Sequence, residues 1–238
     1  MKTYRVSALA SGFVRMWRGW TVTVPVVVVN ALLLALLIWP DPVPGQGALP
    51  IGLALLDAVV FLVAYGLISA TALHVADGKV GWPQALGVLR GNLARYSTWA
   101  VALAVVAVIG RAFYTIPGLL VLALTPFLLL AALDGQRNPL AANLRTIGRR
   151  FWRWLVTVVI AGLVLVIGSI SSGLFTFFTR TPAATLVVWL VAGFVLAWFT
   201  TAWALIYRSA NAASQEPEAG DEPQPEPEPA VEPAAETA

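Results

Sequence analysis

Side chains able to do acid–base, nucleophilic or metal chemistry are few in this chain. Its one histidine is His74, it has no cysteine, and the acid that falls well inside an apolar stretch is Asp57. The lack of cysteine excludes thiolate catalysis, disulfides and Cys-ligated zinc or iron–sulfur centres. One histidine cannot supply a His-based metal cluster. The serine run GSISSG at 168–173 has no histidine or lysine partner in the apolar stretches, so an intramembrane serine protease would lack its base. Walker A, GxGxxG and HExxH patterns are missing as well. The residues therefore predict a non-enzymatic protein with no catalytic, cofactor-binding or metal-binding positions.

Ionisable groups inside a membrane are the default functional suspects. Asp57 lies six residues into its apolar stretch, about 9 Å from that edge at 1.5 Å per residue. Arg111 lies 14 residues after Ser97, about 21 Å from the opposite edge on the same rise. The two depths agree to within a helical turn, which predicts an Asp57–Arg111 ion pair. The alternative is that each group meets water separately at the rim. A proton relay needs a second carboxylate or histidine at the depth of Asp57, and none is there. His74 sits at the end of its apolar stretch, where an interfacial histidine needs no task. Asn30, inside the first stretch, is expected to hydrogen-bond across helices.

These residues ride on a membrane scaffold. Of 238 residues, 59% are hydrophobic and 11% charged, under half the charge of a soluble domain. Crossing a ~30 Å hydrocarbon core takes ~20 residues of helix. Six spans follow: 21–39, 51–74, two sharing 97–133 with a turn at TIPG (115–118), 154–175 and 183–207. Within 97–133 the alternative is one span plus a re-entrant piece. Thirteen of the 15 Lys and Arg residues fall before the first span, in 77–96, in 134–153 or at Arg208. That asymmetry places both termini in the cytoplasm. Arginine outnumbers lysine 13 to 2, and with abundant Ala, Val and Trp this points to the cytoplasmic membrane of a high-GC bacterium. Trp17, Trp20, Trp39, Trp82, Trp99, Trp152 and Trp154 fall at the predicted interfaces, as an aromatic belt requires. Ala54/Ala58, Gly66/Ala70 and Gly193/Ala197 are small-residue pairs suited to close helix packing.

Two basic loops resemble each other. Residues 77–99 read DGKVGWPQALGVLRGNLARYSTW, and 134–154 read DGQRNPLAANLRTIGRRFWRW. Each begins Asp-Gly, opens a short helix at Pro83 or Pro139, and carries Arg90 or Arg145. With a two-residue gap, Arg95-Tyr96 aligns with Arg150-Phe151, and Trp99 with Trp154. In the second copy Leu140, Leu144, Ile147 and Phe151 share a helical face, with Arg145, Arg149 and Arg150 off it. In the first, Leu86, Leu89, Leu93 and Tyr96 do the same. Asn138 is the N-cap of the second helix. Both read as in-plane interfacial helices. Residues 1–20, with Leu9, Phe13, Trp17 and Trp20 on one face, form a third.

The second loop is similar to a pattern in uncharacterised multi-span bacterial membrane proteins. These resemble the membrane region attached to some glycerophosphodiester phosphodiesterases. Asp134, Gly135, Pro139, Arg145, Arg150, Phe151 and Trp152 match, and Thr146 stands where a serine is usual. The catalytic domain of such enzymes has no counterpart in this chain. The resemblance therefore implies an architecture and not that reaction.

The 209–238 segment holds eight of the twelve acids, no Lys or Arg and no aromatic residue. It is expected to be a disordered, acidic Pro/Glu-rich cytoplasmic tail following the 21–208 membrane domain. The sequence thus predicts an all-α integral membrane protein, N-in and C-in, with an approximate internal repeat. Its expected function is that of a scaffold or accessory component engaging envelope lipids or a partner membrane protein. Arg90, Arg95, Arg145, Arg149, Arg150 and Arg153 are the expected contacts to anionic headgroups. Nucleic acid is not an expected partner, because the patch should lie against the bilayer. A small transporter or lipid exporter, with a site between the repeats near Leu124-Thr125-Pro126, is the alternative.

Overall fold

The computed structural model describes residues 7–38, 48–75, 81–112, 121, 123–179 and 182–212, and every regular element among them is helical. Helix α1 (Ser7–Met16) passes through a 3-10 turn at Trp17–Gly19 into α2 (Trp20–Ile38). Then come α3 (Ala48–Val75), α4 (Trp82–Gly91), α5 (Leu93–Ala112), α6 (Leu128–Leu133), α7 (Pro139–Arg149), α8 (Phe151–Thr179) and α9 (Pro182–Ala212). Among the described residues, four runs are long and apolar enough to cross a membrane: Ala8–Leu36, Leu55–Val75, Phe151–Phe175 and Ala183–Ala212. Leu93–Val106 is a shorter apolar stretch. The turn expected at 115–118, Asp77-Gly78, the Arg180 loop and residues 213–238 lie outside the described residues. Residues 209–212, assigned from sequence to the tail, belong instead to the last turn of α9.

Helix α9 is the hub: α1, α2, α3, α7 and α8 all pack against it. Small residues permit the closest approaches. A Cβ on Gly12 of α1 would come within 2.9 Å of the Ala202 Cβ, and one on Gly193 within 2.7 Å of a Val27 methyl. Where lipid replaces water, helix association depends on such van der Waals fit rather than on hydrophobic transfer.

The core is concentrated at one end of the bundle. It takes in Val22, Leu67, Ile68, Leu73, Phe127, Leu130, Leu133, Ile206 and Tyr207, with all six residues of α6 buried. The same end holds the C-termini of α3, α6 and α9 and the N-termini of α5 and α8. Helix α8 contrasts with this: beyond Val159 it exposes Leu163, Leu165, Val166, Ile167, Ile170 and Leu174.

The two short helices recur in structure, at a register different from the sequence alignment. Each ends in a single non-helical residue before the next long helix: Asn92 (φ −120°, ψ 15°) after α4 and Arg150 (φ −126°, ψ 33°) after α7. The Tyr96 and Trp154 N–H groups then donate to the Asn92 and Arg150 carbonyls, at 2.8 and 3.0 Å. Arg95-Tyr96 therefore corresponds to Arg153-Trp154, and not to Arg150-Phe151. The sequence alignment matched Arg-aromatic pairs correctly in kind and three residues away in place, because the second loop offers two such pairs.

Candidate functional site

The arginine-rich end forms from helix termini, which leave backbone groups unsatisfied. Helix α6 ends in a Schellman cap: Gln136 N–H donates to Ala131 O (3.1 Å) and Gly135 N–H to Ala132 O (3.4 Å). Gly135 adopts φ +78°, a left-handed conformation that a Cβ disfavours. This gives the Asp-Gly pair of the loop its physical meaning. The preceding Asp134 puts a carboxylate at the negative end of a helix, which is unfavourable by itself. Two groups of α9 offset it: Arg208 Nη1 lies 3.1 Å from Asp134 Oδ1, and the Tyr207 hydroxyl donates to Oδ2 at 3.0 Å. Arg208 Nε also reaches the Leu73 carbonyl of α3 at 3.4 Å. One aspartate thus ties α6 to α9, and the arginine that pairs with it reaches on to α3.

The C-terminus of α9 is capped by the last residue of α7 and the single residue after it. Arg149 Nη1 donates to Ala210 O at 3.1 Å, and Arg150 Nη2 to Ser209 O at 3.0 Å. Guanidinium groups suit this position, because they donate to the last carbonyls and face the negative helix end. Arg149 and Arg150 each carry a structural bond to a backbone carbonyl, although Arg149 stays exposed as a residue.

Helix α7 bears a second key residue that sequence reasoning missed. Pro126 interrupts the helix before α6 and frees backbone groups on both sides. Asn143, fully buried, satisfies them: Phe127 N–H donates to Asn143 Oδ1 at 3.1 Å, and Asn143 Nδ2 donates to Leu124 O at 2.8 Å. Trp154 Nε1 donates to Ala123 O, one residue further back, at 2.9 Å. Trp154 is therefore a buried tether and not a belt tryptophan, while Trp17, Trp20, Trp82 and Trp152 are exposed. Trp39 lies outside the described residues.

The inner face of α7 is thus Ala142, Asn143 and Thr146, all buried. Leu140 and Leu144 face outward beside the exposed Arg145. Asn138 caps the helix as expected, accepting from Ala141 N–H at 3.1 Å. The first unit behaves differently: Leu89 of α4 is buried and Leu93, opening α5, is exposed, and Arg90 is exposed. Arg95 Nη1 donates to Asn92 Oδ1 at 3.3 Å, and Asn92 Nδ2 donates to Leu133 O at 2.9 Å. The apolar residues of the N-terminal segment divide, with Leu9 and Met16 of α1 buried and Phe13, Trp17 and Trp20 exposed.

The Asp57–Arg111 pair is not among the described contacts, because the Arg111 side chain lies outside the described residues. Asp57 Oδ1 is shielded and meets no hydrogen-bond partner among those residues. Asn30 is buried, and its Oδ1 likewise lacks a partner. The expected interhelical bond is not formed at that atom. His74, in the last turn of α3, places Nδ1 3.3 Å from Ala70 O. Ser169 and Ser171 sit on the exposed surface of α8. Among the described residues no group of three His, Asp or Glu side chains gathers as a metal site requires.

Two cavities border α1. One, of about 350 Å³, is lined by Arg15, Arg153 and Arg208 together with Ser11, Ser209 and apolar residues. The other, of about 370 Å³, is wholly apolar, between Phe13 and Met16 of α1, Trp17 of the following turn, and Phe194, Val195 and Trp198 of α9. Neither is lined by Asp57 or Asn30. No family model, no curated protein and no solved structure matches this chain. The likeness to phosphodiesterase-associated membrane regions thus rests on the loop residues alone.

Proposed function

We propose that this chain is a non-enzymatic, six-span protein of a bacterial cytoplasmic membrane, with both termini in the cytoplasm. It engages anionic lipid headgroups through its arginine-rich end and serves as a scaffold or accessory component for envelope lipids or a partner membrane protein. The observation that carries this reading is the charge imbalance at that end. Ten arginines have described side chains: Arg15, Arg18, Arg90, Arg95, Arg137, Arg145, Arg149, Arg150, Arg153 and Arg208. Asp57 and Asp134 are the acids among the described residues, and Asp134 alone is at this end. Such an excess next to outward leucines on α7 suits the plane where acyl chains meet phosphates. Each arginine near an anionic surface contributes about 1 kcal/mol.

The transporter alternative draws on the helix break at Pro126. Asn143 and Trp154 occupy backbone groups around that break, leaving it poorly suited to ligand coordination, so the lipid reading is preferred. The test is reconstitution into phosphatidylcholine vesicles with and without phosphatidylglycerol. The reading expects a thermal midpoint that rises with anionic lipid, by an amount that shrinks as salt shortens the Debye length below ~8 Å. A midpoint indifferent to lipid charge contradicts it. Substrate uptake by the same vesicles would favour the transporter.

A further inference from the structure

The cavity between α1, the start of α8 and the end of α9 differs from the rest of the basic surface. Arg15, Arg153 and Arg208 come from three separate helices and line one space of about 350 Å³, a volume at the small end of ligand-sized clefts. Three like charges brought together raise each other's energy unless an anion sits among them. Asp134 answers Arg208 alone, at 3.1 Å. The described structure shows no ion-pair partner for Arg15 or Arg153.

Ala8, Ser11 and Arg15 bring one side of α1 to the cavity along most of its length. The negative end of α9 also borders it, and its Ser209 and Ala210 carbonyls already accept from Arg150 and Arg149. The serines do not compete as donors, since Ser11 Oγ donates to Ala8 O and Ser209 Oγ to Ile206 O. Guanidinium is the side chain best matched to phosphate, because its planar fork donates two parallel N–H bonds to two oxygens. Ala8, Leu205 and Ile206 supply an apolar wall beside that polar floor.

We infer that the Arg15–Arg153–Arg208 cavity is a binding site for a phosphate-bearing anion, with Arg15 and Arg153 as its principal ligands and Arg208 completing it. The inference deepens the lipid reading above and rests on it. The shared chemistry is the phosphate group, carried by a phospholipid headgroup or by a soluble phosphate.

The test is native mass spectrometry of the full-length protein after equilibration with equimolar phosphatidylglycerol and phosphatidylcholine and a wash in ~0.5 M salt, which suppresses screened surface attraction. The wild type should retain one phosphatidylglycerol in preference to phosphatidylcholine. Arg15→Gln and Arg153→Gln should each cut that retention about tenfold with unchanged thermal midpoints. Arg90→Gln and Arg145→Gln, outside the cavity, should alter it by less than about twofold. Displacement of the lipid by inorganic phosphate, lost in Arg15→Gln, would support the site and assign it to a soluble phosphate.

Equal losses from the cavity and the outer variants would overturn the site and leave the general lipid reading standing. A wild type that holds both lipids alike under low salt would overturn both. Retention seen only after removal of residues 213–238 would assign the cavity to the chain's own acids and overturn the inference.

Discussion

Helices α4 and α7 hold equivalent places, each opening at a proline and ending in one non-helical residue ahead of a long helix. They bury different things. Helix α4 lays Ala85 and Leu89 on the bundle, and its end is tied by Asn92 to Leu133 O. Helix α7 buries a small polar face, Ala142, Asn143 and Thr146, and turns its leucines outward. Arg149 at its end and Arg150 just after it hold the end of α9. Similar loops thus do unequal work, the first packing against a neighbour and the second repairing a broken helix and capping another. The difference traces to Pro126, which creates unpaired backbone groups that Asn143 serves with both its oxygen and its nitrogen.

Ways to break that contrast begin with the amides. Asn143→Leu should destabilise most, by roughly 2–5 kcal/mol, because it strands one buried donor and one buried acceptor. Asn92→Leu at the first unit should cost about 1 kcal/mol, as its groups are partly exposed. Thermal melts in one detergent compare the two directly, and equal losses would end the claim of unequal units. Asp134→Asn comes next, at about 1 kcal/mol, since Arg208 is 33% and Asp134 18% exposed in their side chains and solvent screens such a pair.

Trp154→Phe and Tyr96→Phe sharpen the comparison from the other side. Each removes one hydrogen bond to a carbonyl of a preceding segment, to Ala123 O and to Leu62 O at 2.7 Å. Tyr96→Phe should cost about 1 kcal/mol, and Trp154→Phe more, because it also removes part of a buried indole. Asn138→Ala should cost about 0.5–1 kcal/mol through loss of the cap. Arg145→Gln should sit within ±0.5 kcal/mol, roughly the value for an exposed surface change, while weakening the stabilisation by anionic lipid.

Much of this was legible from residues alone. Apolar run lengths located the long helices to within a few residues, and Pro139 behind Asn138 marked the start of α7. The small pair Gly193/Ala197 marked one close approach to α2. What could not be read depends on residues far apart in sequence. Asn143 looks like any polar position on an amphipathic helix until Pro126, 17 residues earlier, is placed against it. Arg149 and Arg150 look like surface charge until α9 continues to Ala212 and presents its carbonyls. Trp154 falls where a belt tryptophan should, and only the path of the chain near Ala123 buries it. The cavity joins Arg15, Arg153 and Arg208, spread over nearly the whole chain, and no local pattern links them.

The central claim is that the second unit is a cross-tied frame and the first a lightly held cover. Hydrogen–deuterium exchange of the full-length protein in phosphatidylglycerol-containing nanodiscs tests it most directly, because local opening free energy sets the rate. Amides of 139–149 should exchange at least about tenfold more slowly than those of 82–91, a gap of ~1.4 kcal/mol in opening, and Asn143→Leu should abolish that gap. Equal protection in the wild type, or slower exchange in 82–91, would contradict the account.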